Sequence, residues 1–298
     1  MAGLRFPAVL LGLGAGWGLT QPLTKIAVSD GYLPLGLIFW QLVIGALVLA
    51  VLRLATGRSL ALPWRRLWFF LLIALLGTVL PNSFSYRAAA FLPSGVMSVV
   101  ISLVPICAFP IALLLGTDRF GLRRLAGLLL GLAGVVILAA PESLPDPAMV
   151  LWIPVAMVAP LCYALEGNLV ARWGMQGLGP GQVLFGASVV GAVVALPLAL
   201  ASGQFIDPRT DWAAPEYALV AASVIHVLVY TGYVWLVDRA GSVFAAQVAY
   251  VVTGAGVIWA MLLLGERYSL WIWAAMALIA LGMALVQPRR ANQLAEGR

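Results

Sequence analysis

The chain has 298 residues, 63% of them hydrophobic and only 9% charged, with a formal net charge of +6. A soluble domain of ordinary composition carries roughly 25% charged residues, so water is excluded as the main solvent. The positive charge does not point to a nucleic-acid partner, because the basic residues are dispersed at the ends of apolar runs.

A helix needs about 20 apolar residues to cross the hydrocarbon core of a bilayer. Ten runs qualify, at about 8–28, 34–54, 67–86, 94–115, 122–140, 150–170, 181–201, 216–237, 243–264 and 270–287. The first carries Arg5 and a small-x-small site at Ala27-Val28-Ser29, as a signal peptide would. Gln21, Pro22 and Lys25 make a poor cleavage region, so the run is expected to be retained. Within it Trp17, Thr20, Gln21 and Thr24 share one helical face, and Pro22 releases a backbone carbonyl. Lys25 is expected to snorkel at the outer boundary.

Trp64, Arg65, Arg66 and Trp68 ahead of the third run suit interfacial anchoring. In that run Thr78, Asn82, Ser85 and Tyr86 share a face beside Pro81. Cys107 and Cys162 fall inside predicted helices and read as small packing residues, with no disulfide or metal spacing. Gly127, Gly131 and Gly134, like Gly12 and Gly16, suit close helix packing, within the chain in preference to a dimer face. The stretch Pro141-Glu142-Ser143-Leu144-Pro145-Asp146-Pro147 divides the chain. The expected units are 1–140, 141–288 and a polar, disordered cytoplasmic tail at 289–298.

In the second unit Tyr163 and Glu166 share a face, as do His226, Tyr230 and Tyr233, and Gln247 with Tyr250. The loop from about Ser202 to Pro215 reads as a solvated external connection. Glu166 is a carboxylate inside a helix, and two readings stand: proton coupling, or pairing with Arg172 or a neighbouring cation nearer the interface. The pairing is favoured, because no second deep acid completes a relay.

A long-range repeat organises these runs. Leu113-Leu114-Leu115-Gly116 returns as Leu262-Leu263-Leu264-Gly265, and Asp118-Arg119-Phe120 as Glu266-Arg267-Tyr268. Leu122, Ala126 and Gly134 match Leu270, Ala274 and Gly282. A duplicated unit with five crossings must lie upside down relative to its twin, an arrangement common in transporters. The basic residues agree: thirteen arginines fall at one set of helix ends, and Lys25, Arg87, Arg209 and Arg267 at the other. The positive-inside rule then places both termini in the cytoplasm. Arg123 and Arg124 of the first copy become Trp271 and Ile272 of the second, as loops on opposite faces require.

A polar side chain in hydrocarbon needs a partner or a water-filled cavity. The expected substrate-binding residues are therefore Trp17, Gln21, Asn82, Tyr86, Tyr163, Glu166, His226, Tyr230 and Tyr250. Pro22, Pro81, Pro105 and Gly254 are the expected hinges. Single Ser and Thr residues are expected to bond their own helix backbone. No metal or cofactor is expected, and an intramembrane enzyme is disfavoured by the single His and the lack of paired membrane aspartates.

Trp17-Gly18, Leu103-Val104-Pro105, Leu115-Gly116 with Asp118, and Leu264-Gly265-Glu266 together resemble the signature of the EamA family in the drug/metabolite transporter superfamily. The resemblance covers nearly the whole chain, and within the family the chain is similar to YddG-type bacterial amino-acid exporters. It implies an all-α integral membrane protein of ten transmembrane helices, two inverted five-helix repeats around a central cavity. It further implies a protein of the bacterial inner membrane exporting small metabolites, amino acids first, by alternating access with facilitated or weakly coupled flux; the oligomeric state stays open, with a monomer favoured. A proton-coupled multidrug exporter and a passive channel or flippase are the alternatives. The chain departs from the family at Asp118, where glutamate is usual and an extra Thr117 precedes it.

Overall fold

Every regular element of the computed structural model is helical, across the described residues 5–116, 120–138, 144–209, 211–240 and 248–286. The Asp118-Arg119 pair, the Pro141-Glu142-Ser143 part of the dividing loop, Gln247 and the tail at 289–298 lie outside them. In chain order the helices are α1 (Arg5–Ala27), α2 (Pro34–Ala55), α3 (Leu67–Ala74), α4 (Leu80–Phe91), α5 (Ser94–Ile101), α6 (Val104–Leu114) and α7 (Leu122–Leu138). They continue as α8 (Trp152–Trp173), α9 (Pro180–Ala201), α10 (Ala214–Ala240), α11 (Val248–Leu264) and α12 (Leu270–Val286).

Among the described residues, six stretches are long and apolar enough to span a bilayer: Pro34–Ala55, Trp64–Phe91, Ser94–Leu114, Pro147–Trp173, Pro180–Ala201 and Ala214–Tyr233. Val248–Leu264 and Leu270–Leu285 are shorter apolar helices. Two further runs expected from sequence are helical but carry polar residues: α1 holds Thr20, Gln21, Thr24 and Lys25, and α7 holds Arg123 and Arg124.

The third span is not one regular helix. α3 passes into a π-helical turn at Leu75–Val79, where the Leu80 N–H donates five residues back to Leu75, and α4 follows with Pro81 in its first turn. Proline removes the N–H that an α-helix would aim at the Gly77 carbonyl. The fourth span is interrupted at Ser102 and Leu103, just before Pro105. By contrast α1 runs unbroken through Pro22, and α11 through Gly254.

Close contacts fix the helix directions. At the start of α2, Gly36 lies against the Gln204 carbonyl just beyond α9. At the start of α9, Gln182 donates to the Ala61 carbonyl just beyond α2 (3.1 Å). The two helices are therefore antiparallel. So are α7 and α12: a Cβ on Gly134 would lie 3.0 Å from the Ala275 carbonyl, and one on Gly282 2.6 Å from that of Gly127. Gly127, Gly131 and Gly134 thus serve packing inside the chain. Gly12 meets nothing within 4 Å. The core proper lies where α4, α5 and α8 meet, around Leu92, Val96, Val99 and Ile153.

The loop around residues 202–213 is less solvated than its composition suggests. Gln204 accepts from the Leu35 N–H (3.0 Å), and Trp40 donates to the Ile206 carbonyl (2.9 Å). Both bonds seal the end of α2. At the opposite end Arg66 donates to Gln176 (2.6 Å), and Trp68 meets Trp173 edge-on.

Candidate functional site

Two polar groups sit where helices of the two halves meet. In the first, α2, α4 and α8 bring together four side chains. Gln41 Oε1 accepts from Asn82 Nδ2 at 2.7 Å and from the Tyr86 hydroxyl at 2.5 Å, while the Tyr163 hydroxyl donates to Asn82 Oδ1 at 3.2 Å. Asn82 and Tyr86 are buried, so these bonds replace water that the apolar surroundings exclude. Ser85 Oγ, on the same face, is buried without a hydrogen-bond partner among the described residues. Gln41 completes the network although sequence reading passed over it. Its signal was present: it is the one uncharged polar side chain in a helix otherwise apolar from Pro34 to Leu52.

In the second group α1 faces α10. Trp17 Nε1 donates to His226 Nδ1 at 3.2 Å, and the Trp17 ring packs edge-on against Tyr230 (6.0 Å between centroids) and tilted against Tyr233 (5.6 Å). The π-face and N–H of Trp17 are thus both engaged. Trp17 and Tyr163 each donate to a polar residue of a neighbouring helix, His226 of α10 and Asn82 of α4.

Glu166 is hydrogen-bonded to neither group, although Tyr230 of the second shares its cleft. It lines a narrow cleft with Tyr230, Phe69, Ile73, Val183 and Met175 among its walls. Its carboxylate presses on the π-helical turn: a Cβ on Gly77 would fall 2.8 and 2.9 Å from the two oxygens. The expected pairing with Arg172 is corrected here. Arg172 Nη1 donates to the Leu115 carbonyl (3.0 Å), and no cation pairs with Glu166 among the described residues. Six residues along a helix rotate the side chain by about 600°, which puts Glu166 and Arg172 on different faces.

The remaining expected residues are placed as follows. Gln21 is half-buried and makes no hydrogen bond among the described residues. Tyr250 is half-buried and packs on the main core. Thr20 bonds its own helix at the Trp17 carbonyl (2.7 Å). Lys25 does more than snorkel: its ammonium donates to the carbonyls of Ala90 and Leu92, both at 3.0 Å, and so caps the end of α4. Glu266 accepts from the Ser94 and Gly95 N–H groups (2.9 and 3.3 Å) and caps the start of α5. The Tyr268 hydroxyl donates to the same carboxylate; burial first, and then this bond, raises its pKa. At this end too the Tyr32 hydroxyl donates to Glu216, and that bond pushes it up to about 12.

A chain whose described elements are all helical, with several bilayer-length spans and polar groups buried between them, is a multi-pass membrane protein. Its sequence matches the EamA-like transporter family twice, over residues 7–140 and 150–287. The chain belongs to that family, within the drug/metabolite transporters. It is therefore a membrane transporter of small metabolites or drugs, and the enzyme alternative is set aside. Among curated proteins none matches it in sequence. Twenty-seven chains of solved structure do match in fold. One, a protein known from its crystal structure, has a TM-score of 0.62 at 20% identity, covering 94% of this chain and 96% of that one.

Proposed function

We propose that this transporter exports small zwitterionic metabolites, amino acids first, across a bacterial inner membrane by alternating access. The observation that carries the reading is the Gln41–Asn82–Tyr86–Tyr163 network. Uncharged donors and acceptors held between helices of both halves suit a solute carrying both charges, while the aromatic group around Trp17 suits its apolar part. Gln41 retains its Nε2 donors, which make no hydrogen bond among the described residues, and these would receive a carboxylate.

The architecture proposed for this function is ten crossings in two inverted units, 1–140 and 141–288, acting as a monomer with both termini cytoplasmic. Three observations support it: the doubled family match, the antiparallel pairing of α2 with α9, and that of α7 with α12. Rocking would bend the spans where they are already irregular, near Pro81 and Pro105, with Pro22 and Gly254 as lesser hinges. Flux is facilitated or weakly coupled.

Proteoliposomes offered a panel of labelled amino acids give the test. Saturable flux with mutual competition is expected, and Asn82→Ala raises KM by about tenfold or more, the scale of one or two lost buried hydrogen bonds. Linear, non-competing flux would instead mean a channel. Strict proton coupling abolished by Glu166→Gln would establish the multidrug-type alternative.

A further inference from the structure

The proposed function leaves Glu166 unexplained, and its surroundings are specific. An ionised carboxylate among apolar walls is costly unless a cation meets it. Two arginines at the same end of the molecule are engaged elsewhere: Arg66 with Gln176 and Arg172 with the Leu115 carbonyl. The carboxylate is held against the one π-helical turn among the described residues, at a glycine whose missing side chain gives it room. Such turns are frequent at functional sites. Around it the cleft offers Phe69, Ile73 and Val183 as apolar contacts and the Tyr230 ring, whose face also attracts cations.

We propose that Glu166 receives a positively charged amino group, so that the cleft selects solutes made of an ammonium and a compact apolar body. Anionic solutes are rejected by the same carboxylate. The inference rests on the reading that this interior carries substrate, and it narrows the substrate class to amines and amino acids with apolar side chains. Gly77 is the positioning residue: it contributes no contact to the ligand but lets the carboxylate occupy its place.

The test is calorimetric titration of the purified full-length protein with n-butylammonium and with butyrate at matched ionic strength. Saturable butylammonium binding is expected, weakened at least about tenfold by Glu166→Gln, the scale of a charge-assisted hydrogen bond. Gly77→Ala, which leaves the carboxylate present but forces it to move, is expected to weaken binding as well, and Glu166→Asp to fall between parent and Gln. Equal binding by parent and Glu166→Gln, no binding by either, or butyrate binding as tight as butylammonium would overturn the assignment. Glu166-dependent butylammonium binding without amino-acid flux would leave it standing and defeat the amino-acid reading. Amino-acid flux with an unchanged KM in Glu166→Gln would do the reverse.

Discussion

Gln41 shows how much one side chain organises. Its oxygen is the shared acceptor for Asn82 and Tyr86, so replacing it strands two buried donors at once. Gln41→Leu is expected to lower stability by about 1–3 kcal/mol, read as an earlier thermal transition in detergent, and to raise KM together with it. Unchanged melting would show that the amide is not the shared acceptor. Just ahead of α2 the Tyr32–Glu216 bond predicts an alkaline effect. The Tyr32 hydroxyl titrates near 10 when unfolded and at about 12 when folded. The stability it contributes is complete below pH 10 and disappears as the pH rises through about 12. Tyr32→Phe should therefore flatten the alkaline limb of a melting-versus-pH curve; an unaltered limb would rule the bond out. Asn82, Tyr86, Tyr163, Trp17 and His226 were legible in the sequence because polar residues repeated along one helical face. Gln41 was passed over, because a single amide has no periodic partner to mark out a face. The Glu166–Arg172 pairing failed for the opposite reason: proximity in sequence outweighed the rotation of the helix.

Helices carry a different lesson, since proline alone does not predict a break. Pro81 and Pro105 coincide with irregular backbone, but α1 continues through Pro22 and α11 through Gly254. Small residues divide similarly by what they touch. A Cβ on Gly18 would lie 2.7 Å from the Gly256 backbone nitrogen, so α1 and α11 would have to separate. A Cβ on Gly254 meets nothing within 4 Å. Gly18→Ala is accordingly expected to cost about 1–3 kcal/mol as overpacking, whereas Gly254→Ala is neutral or stabilises by up to about 1 kcal/mol through helix propensity. Thermal melts check both. Turnover separates two roles for Gly254: a slower rate in a variant no less stable identifies a hinge, and an unchanged rate removes Gly254 from the rocking scheme. Glycine spacing was readable from sequence, but the neighbour each glycine faces was set by the fold.

At the scale of the whole molecule, the decisive property is which loops share a side of the membrane. The loop after α2 and the loop after α9 hold equivalent places in the two halves. Were the halves parallel, both loops would lie on one face. Ser59 and Ala61 lie by the end of α2, where Arg53 binds the Ser59 carbonyl and Gln182 that of Ala61. Residues 204–206 bind its beginning. A helix of 22 residues separates these ends by about 33 Å, a full bilayer core. In the proposed topology the Ser59 end is cytoplasmic, in line with the arginine distribution. Single cysteines placed at Ser59 and at Asp207, with Cys107 and Cys162 replaced, therefore carry opposite expectations. In right-side-out vesicles an impermeant maleimide should label the Asp207 position and spare the Ser59 position, and inverted vesicles should reverse the pattern. Labelling of both from one side would break the inverted arrangement, and the proposed alternating-access route between the halves would fail with it.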